Sequence, residues 1–337
     1  TSHGCTEVED GAGFLRLKGT GNTIRNLGIR HFFEGVQITG SFNTIENVTF
    51  DGLCDDGMTS GFKTDAGRGI GNRVINSVFM NGCDKCTQFY GGDLASLSPT
   101  GAGTLTCPAP VEWSAEYDGV QWIDCAKPMR ATAGGRVMVR NSVVTTSGAS
   151  EHGGCLVSAL SGGATEFVQG LSSGPFVIYF DNTKIAGCTI GLQIGGAVNA
   201  ILKDSTISSN EQVGILIRKD AQLVLRSGNS IVFNGGQSPP SSKQGYGGVA
   251  VYPTSSSFTP VAALGGQSIE VPEFPNIPAK EYEASSELKN KLCDNRNHTN
   301  DPKDLQVDNQ YGAGPVYAQG VDWCGKTPAV AGPVIVD

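Results

Sequence analysis

Asn22-Thr23-Ile24-Arg25-Asn26-Leu27 returns 21 residues later as Asn43-Thr44-Ile45-Glu46-Asn47-Val48, and less closely as Asn72-Arg73-Val74-Ile75-Asn76-Ser77-Val78. The same pattern persists in Val177–Asn182, Ala200–Ser205 and Leu223–Ser227, with a period of about 23 residues. A second segment follows each copy: Gly35-Val36-Gln37-Ile38, Gly57-Met58-Thr59-Ser60, Gly119-Val120-Gln121-Trp122, Gly191-Leu192-Gln193-Ile194, Gly214-Ile215-Leu216-Ile217 and Gly248-Val249-Ala250-Val251. Each repeat therefore carries at least two short β-rich runs, with Asn and Gly at the corners and almost no helical periodicity. That combination predicts an all-β chain, a single-stranded right-handed parallel β-helix in which each turn buries its inward side chains on the turns above and below. Leucine-rich repeats share the period, but their leucine spacing is absent.

In such a solenoid equivalent positions stack into columns about 4.8 Å apart, so residues far apart in sequence become neighbours. Residues 91–117, rich in Gly, Ser, Thr and Pro, and residues 235–247, with Pro239-Pro240, break the period and are expected to leave it as loops. The β-helix is expected to span residues 1–255. Residues 256–337, with a short helix near Ser285–Leu292, read as a C-terminal tail packed on it rather than as an independent domain.

Composition narrows the function. Glycine is 47 of 337 residues while charged residues are only 17% and aromatics 7%, which argues against coiled coils and long charged helices. No apolar run approaches the ~20 residues that span a bilayer, so no membrane partner is expected. A net charge of −8 repels phosphate backbones, so no nucleic acid is expected either. Ten cysteines suit a secreted, disulfide-bonded domain, and their spacing alone leaves the pairing open. Asn47-Val48-Thr49 and Asn297-His298-Thr299 are glycosylation sequons that fit the same route, and Thr1 has the look of a processed or trimmed start.

Two groups of side chains could carry chemistry. Aligning the repeats on the Gly-Val segments puts Glu34, Asp56 and Asp118 in one column with Asp84 nearby, and adds Asp55 and Glu46. Stacked carboxylates repel unless a cation relieves them, and hard oxygen ligands suit Ca2+. The plain alternative is that Glu34 and Asp118 are corner residues using local turn chemistry. Lys85, Arg130 and Arg136 form a basic group suited to clamping an anionic ligand, or else to pairing with neighbouring acids. Lys63 is less specific. Cys83-Asp84-Lys85-Cys86 has the CxxC spacing but no βαβ context and no second CxxC, so its cysteines read as structural. His152 is a lone histidine that could serve as a general acid.

Residues 44–92 resemble the pectate lyases, above all the family-one polysaccharide lyases. Thr44-Ile45-Glu46-Asn47-Val48-Thr49-Phe50 is similar to that family's Trp-Ile-Asp-His-x-x-Phe strand, which implies Glu46 as a calcium ligand. Asp55-Asp56-Gly57-Met58-Thr59-Ser60 is similar to its Asp-Gly-x-x-Asp segment, which implies Asp56 as a ligand, with Ser60 in place of the second acid. Asp84-Lys85 matches its Asp-Lys pair and implies Lys85 as the substrate-binding lysine. Arg130, followed by Gly134-Gly135-Arg136-Val137-Met138-Val139-Arg140-Asn141, matches its arginine and Gly-x-Val-His-Val-x-Asn, which implies Arg130 as the catalytic base.

The expectation is thus a secreted, monomeric lyase cleaving polygalacturonate of plant cell walls by calcium-assisted β-elimination. Glu46, Asp55 and Asp56 would hold the metal, Arg130 and Lys85 would be catalytic, and Arg136 and Asp84 would bind substrate. Two other classes remain: a β-helical glycosidase using Asp55 and Asp56, although the Asn-Thr-Asp, Gly-His-Gly and Arg-Ile-Lys motifs of polygalacturonases are missing, and a non-catalytic glycan-binding β-helix.

Overall fold

Asparagine decides the corners. In the Asn-Thr-Ile-x-Asn repeat the second asparagine adopts a left-handed backbone: Asn26, Asn47, Asn76, Asn141, Asn182 and the equivalent Asp204 all have φ between 47° and 56°. Asn and Asp enter this region at lower cost than other side chains. The first asparagine, exposed at Asn22 but buried at Asn43 and Asn72, hydrogen-bonds along the stack. Asn43 Oδ1 accepts from the Asn22 N–H and Nδ2, each at 2.9 Å, its Nδ2 donates to the Gly19 carbonyl at 3.0 Å, and its own N–H donates to Asn72 Oδ1 at 2.9 Å. A second ladder runs through Asn210, Asn234 and Asn295. Replacing Asn43 by alanine would orphan the Asn22 N–H and the Gly19 carbonyl, so urea denaturation should show a loss of about 2 kcal/mol. A loss below about 0.5 kcal/mol would mean that water replaces the ladder at little cost.

The computed structural model describes residues 13–60, 69–90, 113–132, 135–146, 156–160, 176–236, 246–252, 259–265, 268–271, 280–283, 289–296, 304–309 and 314–336. Those residues are all-β, with strands stacked in three parallel sheets of eleven, ten and nine strands, here sheets A, B and C. The chain visits them in rotation. Gly13–Leu17 lies in A, Thr23–Arg25 in B, Gly28–Arg30 in C, and Glu34–Ile38 returns to A beside the first strand. Such stacked parallel sheets are what a parallel β-helix requires. No helix is present among the described residues, so none is long and apolar enough to cross a membrane.

The core lies between the three sheets, where alternate side chains point inward and stack on their equivalents. Sheet C contributes Phe50, Phe79 and Trp122. The two phenylalanine rings stack at 4.4 Å, Trp122 follows at 6.3 Å, and its Nε1 donates to Thr87 Oγ1 of sheet A at 3.2 Å. Sheet B contributes Ile45, Val74, Tyr117, Val139, Phe180 and Leu202 in register. The Cys86–Cys125 bridge joins sheet A's Lys85–Tyr90 strand to the corner after sheet C's Gln121–Ile123. A second bridge links Cys293 to Cys324, and Cys54 and Cys188 are also half-cystines, which suits an oxidising environment.

The repeat pattern called for at least two strands per turn, and sheet C supplies a third, whose strands are all three residues long, too short to show a pattern of their own. Three sequence expectations need correcting. Asp118 does not share a column with Glu34 and Asp56, because Gly119-Val120-Gln121-Trp122 enters sheet C rather than sheet A; Asp118 ends a sheet B strand and pairs with Arg140 at 3.1 Å. Nor do the sheets stop near residue 255, since Val261–Gly265, Lys291–Cys293, Val307–Asp308, Val316–Ala318 and Val330–Ala331 extend all three. Lys291–Cys293 also makes the end of the expected helix a strand. Lys63, His152, Asn297, residues 285–288 of that helix, and most of the 91–117 and 235–247 stretches lie outside the described residues, while Lys289 and Asn290 are described and not helical.

Candidate functional site

The charged candidates gather where the strands of sheet A begin. Glu34 opens one strand, Asp56 holds the equivalent place before Met58–Ser60, and Lys85 and Lys127 open the next two. The column therefore reads Glu34, Asp56, Lys85, Lys127: two acids followed by two cations on adjacent strands. Asp55 and Asp84 precede two of them at the same corner. Three residues farther along, the register aligns Gln37, Thr59, Gln88, Arg130 and Ser158.

Lys85 is the hub. Its Nζ lies 3.0 Å from Asp56 Oδ1 and 3.4 Å from Asp55 Oδ1, and it donates a short hydrogen bond to Asp84, while its side chain is only 11% exposed. Asp84 also accepts from Lys127 Nζ at 2.9 Å. Asp56 is 6% exposed and accepts a 3.0 Å hydrogen bond from Thr59 Oγ1. Glu34, similarly buried, accepts from Gln37 Nε2, whose Oε1 in turn accepts from Arg16 Nε at 2.8 Å. Solvent reaches the cluster at the corner through the part-exposed Asp55, Asp84 and Lys127, whereas Gln37, Thr59 and Gln88 are buried.

These contacts set the protonation states. Burial would lower Lys85, yet the charges of Asp56, Asp84 and Asp55 and the hydrogen bond to Asp84 hold it well above the ordinary lysine value. Burial would raise Asp84, but hydrogen bonds and charge from Lys85 and Lys127 bring it below the usual carboxylate value. In Asp56 burial wins: its pKa is pushed from 3.8 to about 6, with the Asp55 charge adding and Lys85 and Thr59 opposing. Burial and then Asp56 also push Tyr90 up to about 12, against the positive charges of Lys85 and Arg130.

The Asp56 shift has a stability consequence. An acid whose folded pKa is raised binds its proton more tightly folded than unfolded, so stability falls as pH climbs from about 4 to about 6, by roughly 3 kcal/mol at most. Asp56→Asn mimics the protonated form. Without metal it should be about 1–3 kcal/mol more stable than the parent at pH 7.5, the lower end reflecting the partner that Lys85 loses, and should converge with it near pH 4.5. Urea denaturation of both proteins in chelator checks this, and a destabilised Asp56→Asn protein at pH 7.5 would refute it.

One oxygen from each of Glu34, Asp55 and Asp56 lies within 4.8 Å of the other two. A buried acid with a raised pKa beside two more carboxylates is a donor set for a hard cation, so these residues fit calcium. Lys85 now partly neutralises them.

Of the residues expected from sequence, the structure brings Asp55, Asp56, Asp84 and Lys85 together and puts Arg130 on the same face, where its charge is felt at Tyr90. Glu46 stands apart. It lies in sheet B, in register with Arg25 and Ile75, and Glu34 takes its place in the acidic group. Arg136 also departs from expectation: it is in sheet B, in register with Val177, and 2% exposed, so it does not belong to the sheet A face. Lys127 was missed, although Asp84-Lys85-x-x-Gln88 and Ala126-Lys127-x-x-Arg130 are the same strand one turn apart. Cys83 and Cys86 are not bridged to each other, since Cys86 pairs with Cys125, and burial followed by the Asp84 charge raises the Cys83 thiol, the reverse of a reactive thiolate.

Comparison with family models, with curated proteins and with solved structures gave no match.

Proposed function

We propose that this chain is a secreted polysaccharide lyase, built as a right-handed parallel β-helix, that cleaves polygalacturonate by calcium-assisted β-elimination. The observation that carries the reading is the sheet A column in which two buried acids are followed by Lys85 and Lys127, both held by Asp84, with Arg130 three residues along the same strand as Lys127. The right-handed sense follows the general preference of parallel crossover connections. The disulfides support an extracellular site of action.

β-Elimination on a uronate removes the C5 proton and expels the C4 oxygen, and it is feasible only if the adjacent carboxylate can accept negative charge. Glu34, Asp55 and Asp56 would hold calcium, which when bound supplies a positive charge to that carboxylate. Lys85 and Lys127 add fixed cations, and Asp84 holds both in place. Lys85 stays protonated and is no base, so the reading assigns proton removal to Arg130. Arginine ordinarily keeps its proton, so variants of Arg130 decide this step.

A second reading draws on Asp56. A carboxyl group with a pKa near 6, beside Asp55, suits the general acid of a glycoside hydrolase. The two readings separate on polygalacturonate. Elimination leaves a conjugated, ultraviolet-absorbing unsaturated end and should stop in chelator; hydrolysis yields reducing ends without the chromophore. Product without the chromophore would replace the lyase by a hydrolase, and no product at all would leave a binding module.

A further inference from the structure

The residue that leaves a sheet C strand toward sheet A is left-handed after eight of the nine strands, Thr146 being the exception, and the identities along that column are informative: His31, Gly52, Asn81, Asp124, Gly187, Ser209, Phe233 and Asp294. Most are small or polar, as the conformation favours. Phe233 is the exception. With φ at 58° it occupies a backbone region that bulky residues avoid, and it is 61% exposed, so burial does not explain its presence. It makes no ring–ring contact among the described residues. A strained, solvent-facing aromatic ring is a starting point for a functional hypothesis.

Its surroundings supply the rest. Phe233 borders a depression of about 270 Å³ with Asp294, Arg296, Asp304 and Lys326. Lys326 Nζ is fixed between Asp294 Oδ1 at 2.6 Å and Asp304 Oδ2 at 3.5 Å. Arg296 is exposed, and its guanidinium makes no ion pair among the described residues. The floor is bare backbone at Gly235, where an added Cβ would strike the Arg296 carbonyl, and Asn234 is committed to its ladder.

We propose that this depression binds one pyranose ring of a polysaccharide. The exposed ring offers a flat apolar platform for the C–H face of a sugar, as aromatic side chains with an adjoining wet edge do. The two acids and two cations cancel in net charge, so the site presents hydrogen-bond donors and acceptors suited to hydroxyl groups rather than a field for a free ion. The volume lies just below the ~300–1,000 Å³ of typical ligand pockets, which limits the occupant to about one ring. The depression is separate from the acidic cluster and does not depend on the catalytic reading. It lies on the same sheet C-to-A edge, six strand positions from Asp56, about 29 Å at ~4.8 Å per strand. One polymer chain along that edge could meet both.

The test is affinity electrophoresis of the full chain through gels containing polygalacturonate, a neutral galactan or a neutral glucan. The parent background is Arg130→Ala, so that turnover does not interfere. Retardation by at least one polymer is expected, and the polymer that retards tells whether the ring is a uronate or a neutral sugar. Phe233→Asn should weaken that retardation about tenfold while melting at or above the parent temperature, because asparagine suits a left-handed backbone. Arg296→Gln, which leaves the turn intact, should weaken it as well. The proposal fails if no polymer retards the parent, or if both variants are retarded as strongly as the parent.

Discussion

Lys85→Met should lower stability by about 3–5 kcal/mol at neutral pH in chelator and abolish turnover. Methionine keeps most of the volume of the lysine stem, so the loss reports on charge rather than on a cavity. With Nζ gone, Asp55 and the buried Asp56 lose their described cationic partner, and Asp84 keeps only Lys127. Those carboxylates then repel one another, and Asp56, already raised by burial, goes higher still. Because an acid with a raised folded pKa costs stability once pH passes its unfolded value, the deficit should be greatest above about pH 6 and shrink as Asp56 protonates toward pH 4. Calcium should do what the lysine did. Its stabilisation of Lys85→Met should exceed that of the parent, reaching about 2.7 kcal/mol at a hundredfold excess over the dissociation constant. Denaturant titrations at pH 5 and 7.5, with calcium or chelator, measure all of this. A variant within about 0.5 kcal/mol of the parent at pH 7.5 in chelator would mean that the ion pairs are solvated and that Lys85 is not the hub of the cluster.

The asparagines made the architecture readable, because both members of the Asn-Thr-Ile-x-Asn repeat have a structural cause: the first bonds along the stack, the second turns the backbone. Sheet membership was harder to read. Alternation of apolar side chains tells inside from outside, but each sheet of the stack needs the same alternation. Gly119-Val120 therefore looked like Gly35-Val36 although it opens a different sheet, and Asp118 was drawn into the wrong column.

The same ambiguity governed the site. Asp55, Asp56 and Asp84-Lys85 were legible because they sit at, or up to three residues before, the start of recognisable strands. Glu46 was assigned as a ligand through a strand motif that resembles a known family, and Arg136 as part of a basic group, and both lie in sheet B. Aligning the Gly-Val segments put Glu34 in one column with Asp56, and the register bears this out, yet Glu34 was read first as a corner acid because nothing local distinguishes a carboxylate facing solvent from one facing two others on the next circuit. Only register brings Lys127 to Lys85. Phe233 carried a different signal: an aromatic residue in a corner column otherwise rich in Gly, Asn, Asp and Ser.

Arg130 offers the sharpest test of the chemistry. It stands on the outer side of sheet A between Gln88 and Ser158, half-buried, three residues after Lys127 on one strand. If it removes the C5 proton, Arg130→Ala should lower kcat by about 10²–10⁴ with KM little changed, since general-base catalysis acts in the transition state. Arg130→Lys should not restore the rate: an ammonium on a shorter stem does not reproduce the position or the planar fork of the guanidinium. Arg136→Ala provides the contrast. That residue is buried in sheet B, so its loss should appear in stability while the kcat of the folded fraction is retained. The comparison needs steady-state kinetics on polygalacturonate with saturating calcium, and denaturant curves to correct for the folded fraction. Near-normal kcat for Arg130→Ala would remove the base role from this residue. A rise in KM at constant kcat would instead make Arg130 a substrate-carboxylate ligand, because only uniform binding is lost in that pattern.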